Sequence, residues 1–245
     1  MKTRKVKVKR LGVIEFDYPQ SDKDINNQVE EIFRQEHYKL GRVKNGVYLD
    51  VGANVGLATT YFQDIAKQIY ALEPNPQFYE ALFKNTEKFK NVKTFNMGIS
   101  YTNHKDTMFS ISSNPEDIPS TFFPPEEAKQ QVDVTCVGLN QFLTDNNIKH
   151  VNTLKIDVEG SEYAIFPSDD FKAASKKIDR IVGEAHYNPT GCFPEIIPVM
   201  LGEYGYKTKF LKLKKPNMNR EIGFNGDGTK KVFRFESSTI FYAEK

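Results

Sequence analysis

Val47-Tyr-Leu-Asp-Val-Gly-Ala-Asn-Val-Gly56 reads as a buried strand ending in a glycine-rich turn. Val47, Leu49 and Val51 suit a strand covered on both faces. Gly52 and Gly56 permit φ > 0, or a close approach where a Cβ would clash. The turn predicts a helix starting near Asn54, with free backbone N–H groups and the positive dipole end aimed at a ligand. Asp50 adds a carboxylate at the strand's end, and the resulting spacing is D-x-G-x-x-x-G. A dinucleotide site needs the triple glycine G-x-G-x-x-G so that pyrophosphate can sit on backbone N–H groups. An anionic Asp50 would repel pyrophosphate and favour a ligand carrying an ammonium.

The other half of such a site lies about twenty residues on, where a second strand delivers an acid to a ribose. Ile69-Tyr-Ala-Leu-Glu73 is a short apolar run ending in Glu73, 23 residues after Asp50, and Pro74 and Pro76 stop the strand. S-adenosylmethionine, with its α-ammonium and sulfonium, fits this pair of acids better than a nicotinamide dinucleotide does.

Two further strands end in acids. Thr153-Leu-Lys-Ile-Asp157-Val-Glu159-Gly-Ser-Glu162 places carboxylates at the sheet's carboxyl edge, where ligands bind in open α/β sheets. Ile178-Asp-Arg-Ile-Val-Gly-Glu184-Ala-His186 ends alike, with Glu184 and His186 on one side because strand residues alternate. Clustered like charges cost energy unless a ligand or a bound proton relieves them.

The chain of 245 residues fits one large α/β domain, and 39% hydrophobic with 27% charged residues reads as soluble and globular. No apolar run approaches the ~18 residues of a membrane span. The net charge of +2 commits to no partner. The basic run Met1–Arg10 alternates with Val6 and Val8, as in an exposed edge strand, and is read that way rather than as a nucleic-acid footprint. No apolar h-region follows it, so it is not read as a secretory signal. Cys136 and Cys192 lie far apart without metal-type spacing, which suits a reducing cytoplasm.

Residues 1–45 are read as an N-terminal strand (Gly12–Phe16) and a lid helix with Ile25, Val29, Ile32 and Phe33 at helical spacing. Glu36, His37 and Tyr38 at its end are candidate ligand contacts, with a solvated helix end the plainer reading. Residues 46–245 are read as the main domain: a helix over Pro76–Phe89, a strand over Val92–Met97, a helix over Leu139–Asn146, and last strands at Tyr206–Leu213 and Ser238–Ala243 around a loop at Met218–Lys231. Residues 101–134 break the alternation with Pro115, Pro119, Pro124 and Pro125, and are expected to form an insertion or lid whose Ser120-Thr-Phe-Phe123 closes over a substrate.

Leu49-Asp-Val-Gly-Ala-Asn-Val-Gly56, Ala71-Leu-Glu-Pro74, Leu154-Lys-Ile-Asp-Val-Glu-Gly-Ser-Glu162 and Val182-Gly-Glu-Ala-His186 together resemble the FkbM family of S-adenosylmethionine-dependent methyltransferases, over residues 30–187. The resemblance implies an α/β fold with the Rossmann-like class I methyltransferase sheet: seven strands, mostly parallel, an antiparallel last strand and helices on both faces. It also implies that Asp50, Gly52, Asn54 and Gly56 hold the cofactor's methionine end, Glu73 the ribose hydroxyls, and the Asn96–Gly98 turn the adenine edge, with Pro74 also among the cofactor-binding residues. Asp157 faces both cofactor and acceptor. The base candidates are Asp157, Glu159, Glu184 and His186. Asp157 and Glu184 with a water offer oxygen ligands for Mg²⁺, but the Asp-Asn pair of catechol-type enzymes is missing and no metal is expected.

The implied activity is O-methylation of a hydroxyl on a small molecule, sugar or natural product. N-methylation of a small-molecule or peptide acceptor and non-catalytic cofactor binding stay open. A nicotinamide oxidoreductase lacks its glycines, and a nucleobase amino-methyltransferase would want an N-P-P-Y-like string where this chain has Asp157-Val-Glu-Gly160.

Overall fold

A computed structural model describes residues 1–8, 10–109, 121–122, 130–186, 192–211 and 238–245. The expected loop at Met218–Lys231, the four prolines of 101–134, and Ser120 and Phe123 lie outside them.

β1 (Lys2–Val8) and β2 (Gly12–Tyr18) form an antiparallel hairpin in a sheet of their own. Its Val6, Val8, Phe16 and Tyr18 are buried, while the intervening lysines stay outside. α1 (Asp22–Val29) is capped by the Ser21 hydroxyl, which accepts from the Asp24 N–H. The helical pattern runs on to Phe33 in sequence, but the last turn, Glu30–Arg34, is a π-helix, and a 3₁₀ turn follows at Lys39–Gly41.

The main sheet then builds up as β3 (Gly46–Val51), α2 (Leu57–Phe62), β4 (Ala66–Leu72), α3 (Pro76–Thr86) and β5 (Val92–Phe95). α3 starts where expected, with Pro76 at its first turn and the Asn75 side chain accepting from the Gln77 N–H. β6 (Gly98–Ser100), β7 (His104–Phe109) and β8 (Gln131–Gly138) form a separate three-stranded sheet. No strand is expected here from the sequence: β7 lies within the stretch 101–134 read as an insertion, and β8 starts in it and buries Val134, Cys136 and Gly138 in alternation. The rest of the chain supplies α4 (Leu139–Asp145), β9 (Val151–Ile156), α5 (Glu162–Ile165), α6 (Asp169–Ser175), β10 (Ile178–His186), α7 (Ile197–Gly202), β11 (Lys207–Phe210) and β12 (Ser238–Glu244).

The seven strands lie in the order β11-β12-β10-β9-β3-β4-β5. β5, β4, β3, β9 and β10 are mutually parallel, and β12 runs antiparallel to both its neighbours. The mostly parallel sheet with one reversed strand is the class I methyltransferase architecture expected from the sequence. Strand alternation divides the core in two. Leu49, Val51, Leu154, Ile156 and Ile181 pack with α4 to α7 on one face, while Tyr48, Ile69, Val182 and Tyr242 pack with α1 to α3 and the hairpin on the other. Burying a side chain such as Ile25 in that second layer contributes ~1.5–3 kcal/mol. The chain leaves β3 towards β4 on one side and returns through β9 on the other, which makes the carboxyl ends of β3 and β9 the switch point where such sheets bind ligands.

Candidate active site

The turn after β3 differs in one respect from the expectation. α2 begins at Leu57, not near Asn54, because Asn54 (φ 50) and Gly56 (φ 87) both adopt left-handed backbone. The N–H groups of Gly52 and Ala53 donate to the Leu72 carbonyl, that of Asn54 to Glu73 Oε2, that of Val55 to Asn54 Oδ1, and that of Gly56 to the Ala53 carbonyl. The turn's donors are thus spent within the protein rather than held out for a phosphate. Gly52 is required by close approach: a Cβ there would stand 1.9 Å from the Asp157 carbonyl oxygen.

A cleft opens at this edge, lined among others by Gly52, Asn54, Glu73, Pro74, Gly98, Asp157, Glu159, Glu184 and His186. Nine of the expected site residues therefore meet in one cavity. Asp50, Gly56 and Asn96 do not line it. Asp50 is 1% exposed, accepts from the Thr59 hydroxyl at 2.6 Å and pairs with Lys155 at 3.3 Å, so its charge is met inside the protein. Gly56 starts α2, and Asn96 donates to the Glu73 and Pro74 carbonyls at 2.9 Å each, which fixes the turn that presents Glu73. All three act through a neighbour.

The cofactor end of the cleft is ordered by hydrogen bonds. Glu73 accepts from the Asn54 and Asn75 N–H groups, one on each oxygen, both at 2.9 Å. Burial pushes its pKa up to about 7 despite these bonds, with Asp50 adding to the rise and Lys155 opposing it. Gln20, from the segment after the hairpin, donates to Asn54 Oδ1.

The opposite end is crowded with charge. Lys155, 3% exposed, donates to the Gly52 carbonyl at 2.7 Å and lies 3.5 Å from Asp157. Burial lowers its pKa, but Asp50 and Asp157 outweigh that and hold it above the ordinary lysine value. The Tyr38 hydroxyl donates to Asp157 at 3.4 Å. His186 Nδ1 lies 3.1 Å from Glu162, while Nε2 stands 3.7 Å from Asp157 and 3.6 Å from Glu159. Desolvation pulls the imidazole down, yet Glu159, Glu162 and Glu184 together hold it well above its ordinary value. Glu184 accepts from the Ser238 hydroxyl, and burial with Asp157 nearby raises its carboxyl. Burial, partly offset by His186, pushes Glu159 up to about 7. Glu159 also sits at φ 53, before Gly160 at φ 97, a backbone strain of the kind stored at functional sites. Asp157, Glu184 and His186 bring one donor atom each to within 4.8 Å of one another.

Sequence reasoning missed two residues here. Glu162 stands in the quoted motif without a role, yet it is fully buried and fixes both His186 and the Val158 N–H. Glu31 enters the cleft from the π-turn, and nothing in the sequence analysis singles it out. His37 and Tyr38 line the cleft, whereas Glu36 pairs with Lys39 and accepts from Tyr61. Of the expected apolar closure, Phe122 lines the cleft, and the neighbouring Thr121 hydroxyl reaches the Glu159 carbonyl at 3.5 Å.

Residues 50–208 match the methyltransferase FkbM domain. The chain belongs to the FkbM methyltransferase family. As a member of that family it is an enzyme, and S-adenosylmethionine is its cofactor. Among curated relatives, this FkbM protein is 25% identical over 211 residues to methyltransferase sdnD of Sordaria araneosa, covering 68% of this chain and 76% of that one. It is 22% identical over 173 residues to the hexuronic acid methyltransferase AglP of Haloferax volcanii, covering 70% and 68%. A solved structure, precorrin-6y C5,15-methyltransferase from Geobacter metallireducens GS-15, is 16% identical with a TM-score of 0.49 over 94% of this chain and 95% of that one.

The FkbM cleft fits this cofactor on its own chemistry. Its glycine turn keeps no N–H among residues 52–56 for a pyrophosphate, and its walls carry carboxylates suited to a sulfonium and an ammonium. Among the described residues no helix is long and apolar enough to cross a membrane.

Proposed function

We propose that this methyltransferase O-methylates a hydroxyl group on a small molecule, sugar or natural product. The observation that supports this reading most is the continuity of one cleft from Asn54 and Glu73 at one end to Asp157, Glu159, Glu184 and His186 at the other. On this reading Gly52, Asn54, Glu73, Pro74 and Gly98 hold the cofactor, whose sulfonium supplies the methyl group. Asp157 lies where cofactor and acceptor meet. Asp50, Gly56 and Asn96 position those contacts from behind.

Methyl transfer is an in-line displacement, so the protein's contribution is to align the acceptor oxygen and relieve it of its proton. Glu159, Glu162 and Glu184 favour the protonated form of His186, which suits it to orient the acceptor or Asp157 rather than to act as the base. The carboxylates are the acceptors of protons. Asp157, Glu184 and His186 are proposed to work without a metal. Residues 1–45 are proposed to form the lid segment, residues 46–245 the methyltransferase domain, and 101–134 an insertion over the acceptor.

An amine acceptor is the second reading, and the excess of carboxylates over cations in the cleft favours it. Transfer of labelled methyl from S-adenosylmethionine into fractionated metabolites, glycans and peptides tests both. Label in an alkali-stable methyl ether supports O-methylation, label on nitrogen supports the second reading, and none in any fraction sinks the proposal. Nucleic acid is expected to take no label.

A further inference from the structure

Every acid that the sequence singles out in the cleft or just behind it is already engaged. Asp50 is held by Thr59 and Lys155, Glu73 by two backbone N–H groups, Asp157 by Tyr38 and Lys155, and Glu184 by Ser238. Glu159 faces His186 Nε2, and Glu162 holds His186 Nδ1. Glu31 differs. It lines the same cleft, and among the described residues no hydrogen bond or ion pair engages its carboxylate.

Its backbone explains how it arrives there. Gln28, Glu31 and Ile32 all line the cleft and share one helix face at i, i+3 and i+4. Ile32 is also part of the apolar layer that pins the segment to the sheet. The turn is a π-helix, in which the Gln35 N–H donates to the Glu30 carbonyl and the His37 N–H to the Glu31 carbonyl. Such irregular turns are frequent at functional sites.

We propose that Glu31, supplied by the N-terminal segment outside the matched family domain, is the general base that takes the proton from the acceptor. This rests on the methyl-transfer reading above. As the acceptor O–H proton moves to a Glu31 oxygen, the oxygen lone pair forms the bond to the methyl carbon. The C–S bond breaks and its electron pair stays on sulfur, leaving S-adenosylhomocysteine, a methyl ether and a protonated Glu31 that later releases its proton to water. A base is most effective when its pKa lies near the working pH. Burial, then Glu184 and Asp157, push Glu31 up to about 7. Glu184 on β10, Asp157 beyond β9 and Tyr38 on the turn before β3 are the titratable groups that face it.

The test compares wild type with Glu31→Gln and Glu31→Asp in three measurements. With glutamate carboxyls labelled with ¹³C, several resonances should titrate near neutrality in the wild type, since Glu73 and Glu159 are also pushed up to about 7. The one assigned to Glu31 by its absence from Glu31→Gln should be among these; titration of that assigned resonance in the ordinary carboxylate range overturns the proposal. In calorimetry Glu31→Gln should bind S-adenosylhomocysteine as the wild type does. A tenfold or greater loss there would make Glu31 a cofactor contact, which overturns the base role and leaves the methyl-transfer reading standing. In the labelled-methyl assay on the fractions above, Glu31→Gln should transfer ~10²–10⁴-fold more slowly, with Glu31→Asp partly restored. Unchanged transfer in Glu31→Gln overturns the base role alone, and no transfer by the wild type overturns both readings together.

Discussion

The two ends of the cleft are built in opposite ways. At the cofactor end, Asn54, Glu73, Pro74, Asn75 and Asn96 are linked by side chain–backbone hydrogen bonds of 2.9 Å. At the acceptor end, Glu31, Asp157, Glu159 and Glu184 face two cations, Lys155 and His186, with the nearest His186 Nε2 contacts at 3.6–3.7 Å. The first end has its hydrogen bonds made within the protein before anything binds. The second holds unrelieved like charge, which a proton, an acceptor or the cofactor's own positive charge can neutralise. Substitutions at the first end should therefore appear in affinity, and at the second in turnover.

After Glu31→Gln, the largest effect is expected at Asp157. Asp157→Asn should slow transfer by ~10²-fold through lost alignment of the acceptor while its affinity for S-adenosylhomocysteine changes little. A loss confined to affinity would erase the distinction between the two ends. His186→Ala should be milder, since the surrounding carboxylates favour the protonated ring, which orients rather than accepts.

A smaller effect is expected in stability. Glu31 binds its proton more tightly folded, at about 7 against 4.5 unfolded, so the folded state holds the extra proton between those values and stability falls as pH rises through them. Glu31→Gln should match the wild type below pH 4.5 and become more stable above pH 7. After discounting for partial exposure the gain is ~1–2 kcal/mol, or a Tm higher by roughly 2–8 °C for a chain of this size. Thermal melts of the ligand-free protein across that range check it. Equal melting temperatures at pH 8 would mean that Glu31 lies in ordinary solvent.

The smallest effect is expected from EDTA. Transfer should be unchanged by the chelator and by added Mg²⁺. Activity that is lost with EDTA and restored by Mg²⁺ would turn Asp157, Glu184 and His186 into ligands.

The contrast between the ends also decided what the sequence could reveal. The cofactor end is local. Asp50, Gly52, Gly56 and Glu73 lie on two consecutive strand–turn units, and the periodicity of Val47–Val51 and Ile69–Leu72 locates them directly. Its finer detail was not legible, because burial of Asp50 against Lys155 depends on a partner strand 105 residues on. The acceptor end is assembled from distant pieces. Asp157, Glu184 and His186 could be placed by strand alternation, but Glu31 could not: a π-turn does not show in helical periodicity, and an acid after Val29 reads as solvated. The three-stranded sheet was hidden for a similar reason, since the proline-bearing stretch separates β7 from its partner β8.

The cofactor end is tested most directly by calorimetry on the wild type and Glu73→Ala, titrated with S-adenosylhomocysteine, S-adenosylmethionine and NADH. The wild type should bind the first two and not NADH, and Glu73→Ala should lose the charged hydrogen bonds to the ribose, each worth ~1.5–3 kcal/mol, or about 10–150-fold in Kd. A wild type that prefers NADH, or a Glu73→Ala variant that binds S-adenosylhomocysteine unchanged, would contradict the account.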